Sequence, residues 1–149
     1  MVAHDSEGAM GFIINKRAEG LSLGDILKDM PETVAKTGLV NLPVYAGGPV
    51  QNDRGFVLHT SDYEKTQNSL SQELPIALTQ SADVLVDAAH GRGPEKMRLF
   101  LGYAGWGPGQ IEGELQDNAW LVCDANIAEI FTSRSYDLYE KCVAAMGID

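Results

Sequence analysis

The second half of the chain alternates short apolar runs with amphipathic segments, and this alternation limits the folds open to it. The predicted strands are residues 76–79, 97–103 and 120–123, and the predicted helices are residues 82–90, 110–116, 125–131 and 136–146. A strand, a helix and another strand in this order indicate βαβ crossovers. The chain is therefore expected to mix helices with strands that share a sheet.

The first half contains weaker signals of the same two kinds. Strands are predicted at residues 11–15, 44–46 and 56–59, the last two as neighbours around a glycine turn. Ser22, with Asp25 three residues on, predicts the start of a short amphipathic helix over residues 23–30. Residues 61–73 are polar and are predicted to form mostly surface loop.

Length and charge restrict the function classes. The chain has 149 residues, of which 44% are hydrophobic, so we expect one domain spanning residues 1–149. Lys and Arg number 11 and Asp and Glu number 21, which gives a net charge of −10. Nucleic-acid binding needs clustered positive charge, and the most basic stretch, Arg92, Lys96 and Arg98, is interrupted by Glu95. Direct nucleic-acid binding is therefore not expected.

Compartment and cofactors are predicted mainly from missing signals. Cys123 and Cys142 lie in no spacing typical of zinc or a redox pair, which fits a reducing compartment. The sequence contains no signal-peptide pattern and no apolar stretch near the roughly 20 residues that span a bilayer. We expect a cytoplasmic protein that has no membrane contact and no cofactor.

A glycine-rich loop at residues 102–110 is the densest motif. It follows a predicted strand and precedes a predicted helix, a position where backbone N–H groups can hold an anion. Gly105, Trp106 and Gln110 are candidate ligand residues, and Glu114 shares a helix face with Gln110. The loop matches neither common phosphate-binding fingerprint. The alternative is a tight turn with Trp106 as a plug and a solvated helix face.

A second glycine turn offers a candidate for anion binding. Gly47 and Gly48 precede Arg54, whose planar guanidinium suits a carboxylate or phosphate. The alternative is a turn in which Arg54 pairs with Asp53, Asp62 or another of the many acidic residues.

Catalytic and metal sites are not indicated. His4, His59 and His90 lack metal-site spacing, so no metal is expected. His59 and Cys123 would form a nucleophile pair only if the fold joined them. No catalytic residue is therefore assigned, and a binding role is favoured over an enzyme.

Four segments together resemble the YqgE/AlgH family of bacterial proteins. They are E-G-A-M-G-F-I-I-N-K at residues 7–16, Y-A-G-G-P-V-Q-N-D-R-G-F-V-L-H at 45–59, G-P-E-K at 93–96 and L-G-Y-A-G-W-G-P-G-Q-I-E-G-E-L-Q-D-N-A-W-L at 101–121. The resemblance implies a single α+β domain, whose mixed sheet curls into a partial barrel with helices outside. It also implies that members carry a further strand before His4 and a tail after Asp149. Without that strand a sheet edge would be exposed, which offers a route to a homodimer.

The resemblance leaves the activity open. Members are often labelled transcriptional regulators, and the family has no established catalytic residues to transfer. Arg54, Trp106, Gln110 and Glu114 match the family pattern by position. Three functions are hypotheses: a module that binds a small anionic or polar ligand, a regulator that acts through a protein partner and, less favoured, an enzyme with an unrecognised site.

Overall fold

Seven strands and five helices are present in the computed structural model, which describes residues 1–26, 38–63, 75–132 and 135–147. The strands are β1 (Ala3–Asp5), β2 (Gly8–Gly11), β3 (Arg17–Ser22), β4 (Pro43–Ala46), β5 (Val50–Thr60), β6 (Ile76–Thr79) and β7 (Met97–Trp106). The helices are α1 (Leu23–Ile26), α2 (Asp83–Ala89), α3 (Gln110–Gln116), α4 (Ile127–Thr132) and α5 (Ser135–Ala145), and Gly38–Asn41 forms a 3-10 turn.

Strand β7 is the centre of the sheet. It pairs antiparallel with β5 and β2 and parallel with β4, so the sheet is mixed. The strand order is β1-β2-β7-β4-β3, and β6 pairs with the far side of β5. The predicted α+β class, with a mixed sheet and flanking helices, is confirmed. Within the described residues the outer strands β1, β3 and β6 do not pair with one another, so the sheet is not closed into a barrel.

Side-chain alternation along the strands gives the sheet two buried faces. On one face Val57 and Leu99 pack with Val84 and Leu85 of α2. The opposite face presents aromatic and aliphatic side chains to helix α4. Its buried members are Tyr45, Phe56, Leu58, Ile76, Leu78 and Phe100.

Several local predictions are confirmed. Strand β6 and helix α3 have the predicted bounds, and β6–α2–β7 is a crossover between parallel strands with β5 lying between them. Gly91, which directly follows the predicted helix at residues 82–90, has a φ of 76°, a conformation that favours glycine. Ser22 directly precedes α1, and its backbone N–H donates to the Asp25 carboxylate at 2.8 Å. Residues 27–30 of the predicted first helix and residues 64–73 of the predicted loop lie outside the described residues.

Two strand predictions are wrong. Residues 120–123 form no strand, because Trp120 is held by a side-chain hydrogen bond to Glu114 and the backbone there has no ladder partner among the described residues. The second predicted βαβ unit is therefore absent. Of residues 11–15 only Gly11 lies in a strand, since Ile13 donates its N–H to the turn oxygen of Gly47 at 2.9 Å.

The two strands that flank the first glycine turn are not neighbours as predicted. Strand β7 lies between β4 and β5, because the turn carries the chain across the β7 backbone. Gly47 donates its N–H to the Leu101 oxygen at 2.8 Å. None of the described helices has the length and apolar character needed to cross a membrane.

Candidate functional site

The glycine-rich loop between β7 and α3 is closed by its own hydrogen bonds. Gly107 donates its backbone N–H to Oε1 of Gln110 at 3.0 Å, and the Gln110 N–H donates to the Gly107 oxygen at 3.1 Å. Gly109 has a φ of 74°, a conformation that favours glycine at the turn into the helix. One of the N–H groups expected to hold an anion is thus occupied by a side chain of the protein itself.

Glu114 organises the side chains around this loop. Its Oε2 accepts the indole N–H of Trp106 at 2.7 Å and that of Trp120 at 2.9 Å, and its Oε1 accepts the Gln110 amide at 3.3 Å. The hydrogen bond from Trp120, followed by those from Gln110 and Trp106, lowers the pKa of Glu114. The carboxylate is therefore ionised at neutral pH.

The structure brings together four of the seven predicted ligand residues. Trp106, Gln110 and Glu114 are joined by hydrogen bonds, and Gly105 precedes Trp106 in β7. We call these four residues the loop cluster. Because an ionised carboxylate lies at its centre, the loop cluster is better suited to stabilising the loop by hydrogen bonds than to binding an anion. Glu112, on another face of α3, pairs with His4, and that hydrogen bond lowers the Glu112 pKa.

Gly47 and Gly48 allow the first turn to lie directly on β7. A Cβ atom on Gly47 would lie 2.4 Å from the Gly102 oxygen, and one on Gly48 would lie 2.2 Å from the Tyr103 carbonyl. Both glycines are therefore required for close backbone approach. Gly48 also lines a cavity of about 370 Å³ together with Lys16 and Asn52.

Arg54 is far from the loop cluster. It is exposed on β5, next to Gly55, which pairs with Leu101. Leu101 lies five residues before Trp106, roughly 16 Å along an extended strand. The Arg54 side chain makes no hydrogen bond or ion pair with another described residue, and Arg54 does not line the Gly48 cavity. Arg54 thus lies apart from both the loop cluster and the Gly48 cavity.

A groove of about 470 Å³ adjoins the loop cluster. Gly105 and Trp106 form part of its wall with Val50, Tyr103 and Met10. Asp5 and Glu7 line its β1–β2 end. The Trp106 ring also packs edge to face against Trp120, with ring centres 5.9 Å apart. Trp106 therefore connects the groove to the segment that follows α3.

The segment after α3 carries an exposed apolar run, which we define as Trp120, Leu121 and Val122. Their exposed fractions are 50%, 61% and 70%. As part of a short apolar run these residues were predicted to form a strand of the sheet, so the sequence did not predict their exposure. Large contiguous apolar exposure is typical of interaction surfaces.

The histidines have local structural partners. His59 is fully buried, with Nε2 2.9 Å from the Thr79 hydroxyl and Nδ1 2.7 Å from the Thr60 oxygen. His90 Nδ1 lies 2.8 Å from the Val86 oxygen. In the part of the chain that the structure describes, no group of three or more His, Cys, Asp or Glu is arranged to hold a metal ion.

A buried polar pair that the sequence analysis missed lies beside His59. Tyr63 donates its hydroxyl hydrogen to Oδ2 of Asp87, and both residues are buried. Burial and this carboxylate raise the pKa of Tyr63 to about 12. The signal in the sequence is Asp87 on the otherwise apolar side of the predicted helix at residues 82–90.

Comparison with known proteins identifies relatives along the whole chain. A family model described as AlgH-like matches residues 1–149. A UPF0301 protein of Laribacter hongkongensis is 44% identical over 149 residues, which are 100% of this chain and 79% of that protein. A UPF0301 protein of Ruegeria pomeroyi is 40% identical over 149 residues, 100% of this chain and 80% of that protein. These names do not carry the transcriptional-regulator label.

Solved structures show the same fold. The solution structure of the AlgH protein from Pseudomonas aeruginosa matches with a TM-score of 0.80 and 41% identity, over 98% of this chain and 76% of that one. A Corynebacterium diphtheriae protein matches with a TM-score of 0.65 and 18% identity, over 93% of this chain and 73% of that one. Sequence and fold lead to one assignment: this chain belongs to the AlgH-like family, whose UPF0301 members it matches along its whole length.

Proposed function

We propose that this protein is a binding module that takes up an apolar, positively charged segment of a protein partner. The observation that carries the proposal is the exposed apolar run, in which three consecutive large side chains are at least half exposed. Exposing such side chains to water is unfavourable, and covering them on binding is a source of affinity. A regulatory role would then act through a protein contact.

The apolar run is supported by the loop cluster. The Trp120 indole is fixed by its hydrogen bond to Glu114 and by the ring of Trp106. A side chain held in place before binding loses less conformational entropy when a partner covers it. Indole rings are also frequent among the residues that dominate binding energy.

Charge defines the chemistry of the partner. Asp5 and Glu7 line the groove beside Trp106, and the exposed Asp117 and Asp124 lie on either side of the apolar run in the sequence. The whole chain carries a net charge of −10. A segment with Lys or Arg next to apolar side chains complements this surface, whereas a phosphate backbone is repelled by it.

The experiment is a fluorescence-polarisation titration of the full chain with two synthetic peptides. Both contain the same apolar core, and one is flanked by lysines and the other by glutamates. We expect the lysine-flanked peptide to bind and the Leu121→Asp variant to bind it about tenfold more weakly. Leu21→Asp is the matched control, because Leu21 is also exposed but lies in the edge strand β3.

Three outcomes would contradict the proposal. They are failure of the lysine-flanked peptide to bind, equal binding of the glutamate-flanked peptide, and equal weakening by the two aspartate variants. Analytical sedimentation of the protein without peptide tests whether a second copy of this chain covers the surface instead. If the wild type is a dimer and Leu121→Asp is a monomer, the surface joins two copies of this chain and the proposed partner is wrong.

The second candidate function is the binding of a small anion at Gly48. The specific observation in its favour is the cavity of about 370 Å³, where Lys16 supplies a positive charge and Asn52 an amide. A thermal-shift titration with inorganic phosphate tests it. We expect a rise in Tm that is lost in Lys16→Ala and kept in Arg54→Ala, because Arg54 does not line the cavity. Loss in both variants, or no rise at all, would contradict this function.

A further inference from the structure

The groove beside the loop cluster combines aromatic walls with acidic residues. Its volume is about 470 Å³, and it is lined mainly by the β1–β2 hairpin and strand β7. Tyr103 and Trp106 are its aromatic members, and Asp5 and Glu7 are its charged members. None of the described residues that line the groove is basic. A cation is therefore the ligand whose charge this groove complements.

The aromatic wall of the groove is held in place by the protein itself. Trp106 donates its indole N–H to Glu114 at 2.7 Å, and the Tyr103 ring packs edge to face on Phe56 with ring centres 5.6 Å apart. Both Tyr103 and Trp106 are half-buried, so part of each remains exposed. A cation is attracted to the face of an aromatic ring, and a fixed ring loses little entropy on binding. This wall therefore suits a cation that also has apolar surface.

The acidic end of the groove belongs to a hairpin that the fold holds on both sides. Strand β2 pairs antiparallel with β7, and His4 of β1 is hydrogen-bonded to Glu112 of α3. Asp5 accepts the backbone N–H of Glu7 on its Oδ1 at 2.8 Å, which closes the hairpin turn. The exposed Glu7 side chain makes no hydrogen bond or ion pair with another described residue. Both Glu7 carboxylate oxygens can therefore accept from a ligand.

The pairing of β2 with β7 brings Glu7 beside Trp106. Ala9 is the register partner of Trp106, and Gly8 lies so close that a Cβ atom there would be 2.3 Å from the Trp106 oxygen. Glu7 directly precedes Gly8 in the chain. Since both residues line the same groove, one ligand group can contact Glu7 and Trp106 together.

The chemistry of the groove favours a guanidinium over an ammonium group. A guanidinium is planar, stacks on aromatic rings and presents a fork of N–H donors that matches a carboxylate. An ammonium is a compact and strongly hydrated charge. We propose that this groove binds a guanidinium group, supplied by an arginine side chain of the protein partner, against Trp106 and Glu7. The source of the arginine rests on the proposed function, whereas the groove is separate from the exposed apolar run.

The groove lies close enough to the apolar run for one segment to occupy both. The Trp106 and Trp120 ring centres are 5.9 Å apart. An extended chain rises about 3.3 Å per residue, and side chains two residues apart lie on the same side. An arginine about two residues from the apolar side chain that covers Trp120 would therefore reach the groove.

The first experiment titrates the isotope-labelled full chain with Nα-acetyl-arginine methylamide at constant ionic strength and follows it by NMR. We expect saturable shifts of the Gly8, Ala9 and Gly105 amides and of the Trp106 indole, and none at Gly20 in β3. The citrulline analogue has nearly the same shape and no charge, so it should bind about tenfold more weakly. No saturable shift in the groove, or equal binding of the citrulline analogue, would overturn the proposal.

Glu7→Gln tests the carboxylate contact, with Glu19→Gln as the matched control. Both glutamates are exposed, but Glu19 lies in β3 and does not line the groove. We expect Glu7→Gln to weaken binding of the blocked arginine about fivefold and Glu19→Gln to leave it unchanged. Circular dichroism checks that both variants are folded. Equal weakening by the two variants would show a general effect of charge and overturn the role of Glu7.

A second experiment separates this proposal from the proposed function. Two peptides share one apolar core and carry either arginine or citrulline two residues from it, and we expect the citrulline peptide to bind about tenfold more weakly. If the peptides bind equally, the proposed function stands and the guanidinium site is wrong. The blocked arginine has no apolar core, so Leu121→Asp should leave its binding unchanged. If it binds and neither peptide does, the proposed function is wrong and the groove keeps its guanidinium specificity.

Discussion

Trp106 and Trp120 donate their indole N–H groups to the same oxygen of Glu114, at 2.7 and 2.9 Å, while their rings meet edge to face. One residue ends the central strand and the other lies in the irregular segment beyond α3. A single carboxylate therefore couples the sheet to the exposed apolar run. Sequence reasoning placed Glu114 on a helix face but offered no means of assigning these donors to it.

The Glu114 link should weaken in acid. Hydrogen bonds, first that from Trp120, lower the pKa of Glu114 from its ordinary value of 4.5. Because the folded-state pKa is depressed, the stabilisation is present above pH 4.5 and is lost as the pH falls through the folded-state pKa. We expect the tryptophan emission of the folded protein to be constant above pH 4.5 and to shift to longer wavelength below it.

The control for this titration is Glu114→Gln, which keeps an acceptor oxygen and cannot ionise. Its emission should show no transition in that range. Far-ultraviolet circular dichroism on the same samples separates local release of Trp120 from global unfolding. An emission shift of equal size in Glu114→Gln would assign the transition to another group and contradict the prediction.

Gly48→Ala should destabilise the fold more than is usual for a substitution in a surface turn. The added methyl group would lie 2.2 Å from backbone atoms of Tyr103 in β7, which cannot move aside as a side chain would. Overpacking of this kind costs about 1–3 kcal/mol of unfolding free energy. Urea denaturation followed by circular dichroism measures the loss.

Gly113→Ala is the matched control for Gly48. A Cβ atom at Gly113 meets nothing within 4 Å, and the residue lies inside helix α3. Alanine in a helix interior is favoured over glycine by roughly 0.5–1 kcal/mol, so this variant should be more stable than the wild type. Equal effects of the two alanine variants would mean that crowding against β7 is not what requires Gly48.

Elements whose own residues form a clear strand or helix pattern were predictable from the sequence. Strand β6 is a short apolar run next to polar residues, and α3 begins directly after Gly109, which has a left-handed φ of 74°. In both cases the local sequence pattern agrees with the conformation that the fold requires. The β6–α2–β7 crossover follows from the order of three such elements.

Features set by distant partners were not predictable. Residues 120–123 have strand-like composition, but a strand also needs a neighbour, and the Trp120 side chain instead contacts Glu114. Arg54 follows one glycine motif and Trp106 lies within the other, yet the antiparallel register of β5 and β7 separates the two residues. The sequence of a single chain does not show which of its distant residues will be in contact.

Phe100→Ala should be among the most damaging core substitutions. Phe100 is fully buried on the central strand, and its ring centre lies 5.0 Å from that of Phe12 and 5.6 Å from that of Tyr45. Removing a buried phenyl ring leaves a cavity and costs about 3–5 kcal/mol. Urea denaturation measures the loss, with Tyr139→Ala, at a position 66% exposed, as the control. A loss below about 1 kcal/mol would contradict the assigned core, since burial alone accounts for more than that.

Tyr63→Phe should destabilise the protein because it leaves the buried Asp87 carboxylate without its phenol donor. Removing one partner of a buried hydrogen bond costs about 1–3 kcal/mol. Tyr139→Phe is the matched control, because that hydroxyl is on an exposed residue. Urea denaturation at neutral pH should show a loss for Tyr63→Phe and almost none for Tyr139→Phe.

The same hydroxyl should make the fold sensitive to alkali. The pKa of Tyr63 is raised from 10.0 to about 12 by burial and by the Asp87 carboxylate. Since the folded-state value is the higher one, this stabilisation is complete below pH 10 and is lost as the pH rises through about 12. The free energy of unfolding of the wild type should therefore fall in this range relative to that of Tyr63→Phe. If the two proteins lose stability in parallel, the Tyr63 phenol is not the group responsible.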